Sequence, residues 1–329
     1  MMPTKSQRRP SRGLLGGIRG GSGTVCLLLL WGLILFALRD ARLLVETVSD
    51  ALYLCVRQVI PVLFPIAAAG GLLTCFAPPP RFICRPIGRL FRLSDASVGV
   101  LVIALVSGFP IGAMLASRLL EEGRIGKEEA SRLAAYTNNA SAAFLTGCVG
   151  ERFFGDRRLG WILWIATTAA ALAVGIGMAR TAPRPAHARE QGCALPTPAA
   201  LADSLKATGQ GMLYLTVFVV FFAVFSTFFN HSLVALLPDG GWTAPLAAVL
   251  TAVLEITGGL AAIADLSLSL PLRMGLAGAA VGFGGLSVFL QCMAAGRAAE
   301  GRRLLRARLR MALLSLFLAT LLCFALGRH

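Results

Sequence analysis

Apolar runs close to membrane-spanning length recur along the whole chain, and they leave room for few folds. A bilayer core of about 30 Å takes close to 20 apolar helical residues. Within it, only structures that pair their own backbone groups survive. Seven runs read as full crossings, at about 24–38, 60–76, 98–117, 160–179, 212–229, 243–264 and 311–327. Two further apolar segments, about 130–150 and 272–295, are interrupted at their centres, by Thr137-Asn138-Asn139 and by the Gly-Phe-Gly-Gly run at 282–285. Such interruptions free backbone groups that lipid does not satisfy, so they belong inside protein or against a wet cavity.

Composition narrows the class further. The chain is 56% hydrophobic and 14% charged with a net charge of +15, a balance outside that of soluble domains. The basic residues cluster between apolar runs, as in KSQRRPSRG and RRLLRARLR, which is the pattern of cytoplasmic membrane loops. No aromatic residues interleave with them to stack on bases, and this excludes nucleic acid as a partner. The eight cysteines form no C-x-x-C pair and read as small hydrophobes. The three histidines are scattered, so no metal site and no cofactor is expected. With no nucleophile–base pair or phosphate loop in view, the chain does not read as an enzyme. Residues 1–23 form a basic, cytoplasmic amino terminus ahead of an uncleaved first helix. Residues 24–59 comprise that helix and an amphipathic one over 39–59, read either as surface-lying or as an extension of the crossing.

The remainder divides at a Pro- and Ala-rich connector, 181–211. The halves 60–180 and 212–327 look alike: four successive features recur at similar offsets, including LVIALVSGFPIGAML against AAVLTAVLEITGGLA. If the two interrupted segments are re-entrant hairpins, each half crosses three times and the copies point in opposite directions, an architecture that recurs in transporters. The Lys/Arg distribution prefers this only slightly over full crossings. The expected fold class is therefore an all-α polytopic membrane protein, with about seven transmembrane helices and two re-entrant hairpins in two inverted repeats.

Glu255 is the one acidic residue deep within a predicted crossing. Facing lipid it would cost about 2.5 kcal/mol or more. It therefore faces protein, water or solute, either as a solute-binding carboxylate or as a structural group bonded to a neighbouring helix. Its counterpart in the first half is Ser107-Gly108-Phe109-Pro110-Ile111-Gly112, which offers either an unwound stretch with free carbonyls or small-residue packing. Thr137, Asn138, Asn139 and Ser141 would form one hairpin tip, and Gly284, Ser287 and Gln291 the other. The asparagines either meet a polar solute or cap two half-helices. Thr257 and Gly258, beside Glu255, complete the candidate substrate-binding set.

The stretch from SGFPIG through TNNASAAFLTGCVG, followed by LEITGGL, resembles the YlbJ-type sporulation integral membrane proteins and, more widely, nucleoside-recognition or Gate-domain proteins. The match runs over roughly residues 40–325. The matching positions are Ser107, Gly108, Pro110, Gly112, Thr137, Asn138 and Asn139, then Glu255 and Gly258. The resemblance implies a multi-pass cell-membrane protein of a spore-forming bacterium with a role in spore envelope formation, related to the gating regions of transporters. It supplies no substrate. The expected function is a permease for a small polar, nucleoside-like solute acting in spore formation, with Glu255, Asn138 and Asn139 as its principal contacts. The alternative is a non-transporting factor for spore envelope or cortex assembly. The expected partners are the lipid bilayer and the solute, with self-association left open.

Overall fold

A computed structural model describes residues 21–76, 79–183, 197–236 and 241–326. The basic amino-terminal cluster and most of the Pro-rich part of the connector lie outside these residues. Among the described residues the chain is helical throughout, without strands. Contacts divide it into two units, residues 1–47 and 48–329.

The first unit contains α1 (Gly21–Arg39) and the start of α2 (Ala41–Leu54). Asp40 Oδ1 accepts the Leu43 N–H at 3.2 Å, and Arg42 pairs with Glu46 at 3.0 Å across one exposed turn.

In the second unit, four helical stretches are long and apolar enough to cross a membrane: Arg157–Arg180, Leu201–Ser232, Leu270–Ala294 and Gly301–Leu326. Among the described residues the number rises to six if two bent helix pairs, Ala41–Arg57 with Ile60–Leu73 and Arg81–Phe91 with Asp95–Ser107, each count as one span. That is fewer than the seven expected from hydropathy, and the helix termini explain the difference.

Hydrogen bonds fix which helix ends lie together. Arg132 in α7 (Lys127–Tyr136) donates to the carbonyls of Phe91 and Arg92 at 3.1 and 2.7 Å, closing the end of α4 (Arg81–Phe91). Glu129 accepts from the Ser94 N–H and hydroxyl, both at 2.8 Å, at the start of α5 (Asp95–Ser107). Ser117, near the end of α6 (Ile111–Glu121), accepts the Ala298 N–H at 3.1 Å. Arg303, in α14 (Gly301–Leu326), pairs with Glu128 at 3.1 Å. Arg92 donates to the Ala182 carbonyl just beyond α8 (Arg157–Arg180). All these residues share one end of the unit. At about 1.5 Å per residue, the 24 residues of α8 place Arg157 roughly 36 Å away, at the opposite end.

The start of α5 and the end of α6 therefore lie at the same end, so the chain doubles back at Gly108-Phe109-Pro110. It doubles back again at Glu255, between α10 (Thr243–Leu254) and α11 (Ile256–Ala264). A side chain at Gly259 would collide with the Ala252 backbone, whereas residues seven apart in one straight helix are separated by about 10 Å. The runs read as crossings at 98–117 and 243–264 are thus hairpins. Conversely, α12 (Leu270–Phe283) and α13 (Gly285–Ala294) continue as one 25-residue span through Gly284. The interrupted segment at 130–150 likewise passes from Lys127 at one end to Arg152 near the other. Hairpins and crossings exchange places relative to expectation because hydropathy records apolar length and is blind to chain direction. The connector is also shorter than expected: α9 (Pro198–Leu236) is already helical at residue 198.

Close packing follows small residues. Gly275, Gly278 and Gly282 of α12 lie against Thr320, Ser315, Ala319 and Met311 of α14. Any Cβ there would overlap α14, so the stripe allows the two helices to pack backbone to backbone.

Candidate functional site

Four helix interruptions meet inside the second unit. A Cβ at Gly108, where φ is +89°, would sit 3.0 Å from Ser141 Cβ and N. A Cβ at Gly285, where φ is +73°, would lie 3.2 Å from the Ala252 carbonyl and 3.4 Å from Ile256 N. In each half, then, a glycine of one interruption fits against the backbone of the other. Both conformations lie in the left-handed region that glycine adopts without strain.

Around this meeting point lies a cavity of about 410 Å³. Every interruption contributes to its wall: Gly108 and Phe109, Ser141, Glu255 with Ile256 and Thr257, and Ser287 with Gln291. Leu63, Phe144, Leu215, Val219 and Val288 supply apolar lining, and Arg57 and Arg152 are exposed at its edge. Neither arginine makes an ion pair among the described residues. A mostly apolar cavity with a few convergent polar groups is the usual form of a small-molecule site.

Glu255 is 6% exposed and occupies the N-cap of α11. Its Oε1 accepts the Thr257 N–H at 2.8 Å and its Oε2 the Gly258 N–H at 2.7 Å. An anion here is favoured by the unpaired N–H groups and the positive end of the helix dipole. The Thr257 side chain also hydrogen-bonds this carboxylate. Ser141 caps the following π-helical segment, Phe144–Phe153, by accepting the Phe144 N–H at 3.2 Å. Gln291 donates from Nε2 to Ser287 Oγ at 3.1 Å, and its Oε1 has no partner among the described residues although Gln291 is only 4% exposed.

The predicted residues separate into two groups. Gly108, Ser141, Glu255, Thr257 and Gln291 line the cavity. The asparagines, expected as principal contacts, do not. Asn138 Oδ1 accepts the Ala113 N–H at 3.0 Å and its Nδ2 donates to the Ala134 carbonyl at 2.6 Å. It therefore ties the start of α6 to the end of α7. Asn139 Nδ2 donates to the Tyr136 carbonyl at 3.1 Å, and Thr137 Oγ1 to the Leu133 carbonyl at 2.7 Å. Gly112 seats directly against Thr137. Ser107 donates to the Ile103 carbonyl at 2.7 Å and is fully buried off the cavity. Gly258 acts only through its N–H, and Gly284 supplies the turn at φ +84° beside Arg308. Pro110 faces a different cavity. The capping reading thus describes Thr137, Asn138 and Asn139, and the cavity takes its polar groups from the other three interruptions and from Ser141.

Sequence reasoning missed Arg57, Arg152, Phe109 and Phe144. Arg152 carried a signal, as a charge directly after the apolar run 140–150. Phe109 and Phe144 carried none, since aromatic residues in an apolar run ordinarily pack against lipid or core. Also missed was Arg308, fully buried in α14, with its guanidinium beside Gly284 at the end of α12 and 4.0 Å from Cys292 Sγ. A cation is well placed at a helix C-terminus.

Compared with known proteins, the chain is 31% identical over 193 residues to the sporulation integral membrane protein YlbJ of Bacillus subtilis (strain 168). The match covers 51% of this chain and 47% of that protein, so the chain spans about half the length of the curated relative it matches. No family model matches the chain, which leaves the wider Gate-domain resemblance without that support. No solved structure matches it. Multiple apolar helices and this identity together make the chain, over about half its length, a homologue of a sporulation integral membrane protein.

Proposed function

We propose that the protein is a cell-membrane permease for a small polar solute, acting in spore formation. The observation that carries this reading is the cavity in which four interrupted helices converge, each contributing polar or irregular backbone at mid-membrane depth. Irregular backbone at that depth is tolerated where it lines a cavity, and carriers place solute where discontinuous helices meet. The hairpin α5–α6 enters from one end and α10–α11 from the other, and the interrupted crossings beside them run in opposite directions. This supports an inverted repeat. The end bearing Arg92, Arg118, Arg124, Lys127, Arg180, Arg297, Arg302 and Arg303 carries about twice as many basic residues as the end bearing Arg152, Arg157, Arg158 and Arg273, so the basic end faces the cytoplasm. No chemistry is assigned to the site: it binds and passes its ligand.

Uptake into membrane vesicles, using a panel of nucleosides, amino acids and small organic acids, tests this. A charge-assisted hydrogen bond to the ligand is worth about 1.4 kcal/mol or more, so Glu255→Gln should slow uptake about tenfold. Absence of flux across the whole panel would remove the proposal.

One observation favours a second reading, a non-transporting membrane factor for spore envelope assembly. Glu255, Asn138 and Asn139 are all hydrogen-bonded within the fold, as a purely structural set would be. That reading expects Glu255→Gln and Asn139→Ala to leave sporulation intact and changes in the segment 118–132, of which residues 121–123 and 126–128 are exposed, to abolish it. The permease reading expects the reverse for Glu255.

A further inference from the structure

A second cavity, of about 470 Å³, lies among α3 (Ile60–Phe76), α6, α9 and α13. Its wall carries Arg118, Glu121 and Asp203. These belong to the basic end of the unit, where Ser117 meets Ala298 and where Gly71 adjoins both Ser204 and Arg118. The first cavity has Arg152 at its edge, one short turn before α8 begins at the opposite end.

The two cavities share two wall residues, Leu215 and Gln291. The α5–α6 interruption divides between them in the same way, with Gly108 and Phe109 facing the first cavity and Pro110 and Ile111 the second. The partition is thus about one side chain thick. Leu215 is 3% exposed and Gln291 4%. The unpaired Gln291 Oε1 lies within this partition. A buried acceptor without a partner carries a desolvation penalty, which water or a passing solute would relieve once the partition parts. An apolar side chain beside it keeps the constriction dry while closed.

Building on the permease reading, we infer that the two cavities are the halves of one route through the protein, closed here by Leu215 and Gln291, and that Gln291 is the polar group a solute meets as it passes. The hinges are the interruptions themselves, where no continuous helix resists movement.

The test uses a membrane-impermeant methanethiosulfonate reagent on right-side-out and inside-out membrane vesicles holding the full chain, with the modified sites read by peptide mass spectrometry. Native Cys148 reports the first cavity and Ser204→Cys the second. Cys148 should react from one face only and Ser204→Cys from the other only. Leu215→Ala combined with Gln291→Ala should abolish this sidedness, so that each site reacts from both faces. Gln291→Ser alone serves should the double variant misfold, and it too should lose sidedness. Reaction of both sites from the same face in the otherwise unaltered chain would overturn the inference, as would sidedness retained in the opened variants. The outcome separates from that of the permease reading. Lost sidedness without flux of any solute sinks the cargo claim and leaves the route. Intact flux with sidedness retained in the variants sinks the gate alone.

Discussion

A polar side chain in a membrane interior must find a partner, and at this scale the molecule uses its own helix ends. Glu255 takes two N–H groups at the start of α11, Asn138 joins the start of α6 to the end of α7, and Arg132 closes α4. Each leaves orphaned backbone groups behind if removed. Asn138→Ala should therefore destabilise the fold by about 1–3 kcal/mol, the cost of unsatisfied buried partners, read as a lowered midpoint of thermal unfolding in detergent. Glu255→Ala should cost a similar amount through loss of the cap, about 0.5–2 kcal/mol. Glu255→Gln keeps one acceptor but sets its NH2 against the second backbone N–H, so it should unfold between the native and Glu255→Ala midpoints, while a ligand contact lowers uptake about tenfold. That difference distinguishes a ligand contact from a cap. The asparagines were readable as capping residues, but the sequence alone favoured solute binding: both need the same donors and acceptors, and only the position of Ala113 decides.

Among the elements, the glycine stripe on α12 determines how closely α14 approaches. Gly278→Leu places a side chain into the Ser315 carbonyl and Ala319. Overpacking of this kind costs about 1–3 kcal/mol, and the expected result is a lower detergent unfolding midpoint with a broadened size-exclusion profile. Gly259→Leu should be worse, because a Cβ there meets the Ala252 backbone, which has no rotamer with which to yield. An unchanged midpoint in Gly259→Leu would contradict the doubling back at Glu255. Three of the four interruptions were legible: Gly108-Phe109-Pro110, Thr137-Asn138-Asn139 and Gly284 fall where a helix stops, whereas Glu255 was read as lying within an unbroken crossing. Which of them reverse the chain was not legible. A half-helix continuing forward and one folding back bury the same apolar residues and so have the same hydropathy.

For the whole molecule, the exchange of hairpins and crossings has a topological consequence. Segment 122–126 and segment 265–269 lie at opposite ends of the unit, the first at the basic end. Reporter domains inserted in each should show 122–126 cytoplasmic and 265–269 external. Both on one side would refute the arrangement of ends. The sequence by itself determined that this is a helical membrane protein, three of the four places where its helices are interrupted, and that Glu255 needs a polar setting, because the cost of placing polar groups in hydrocarbon depends only on residue type and run length. The tertiary structure alone decided which interruptions turn back, that Asn138 and Asn139 serve the fold, and that Arg152, Phe109 and Gln291 join Glu255 around one cavity. Those outcomes depend on contacts between residues far apart in the chain, and local polarity carries no record of them.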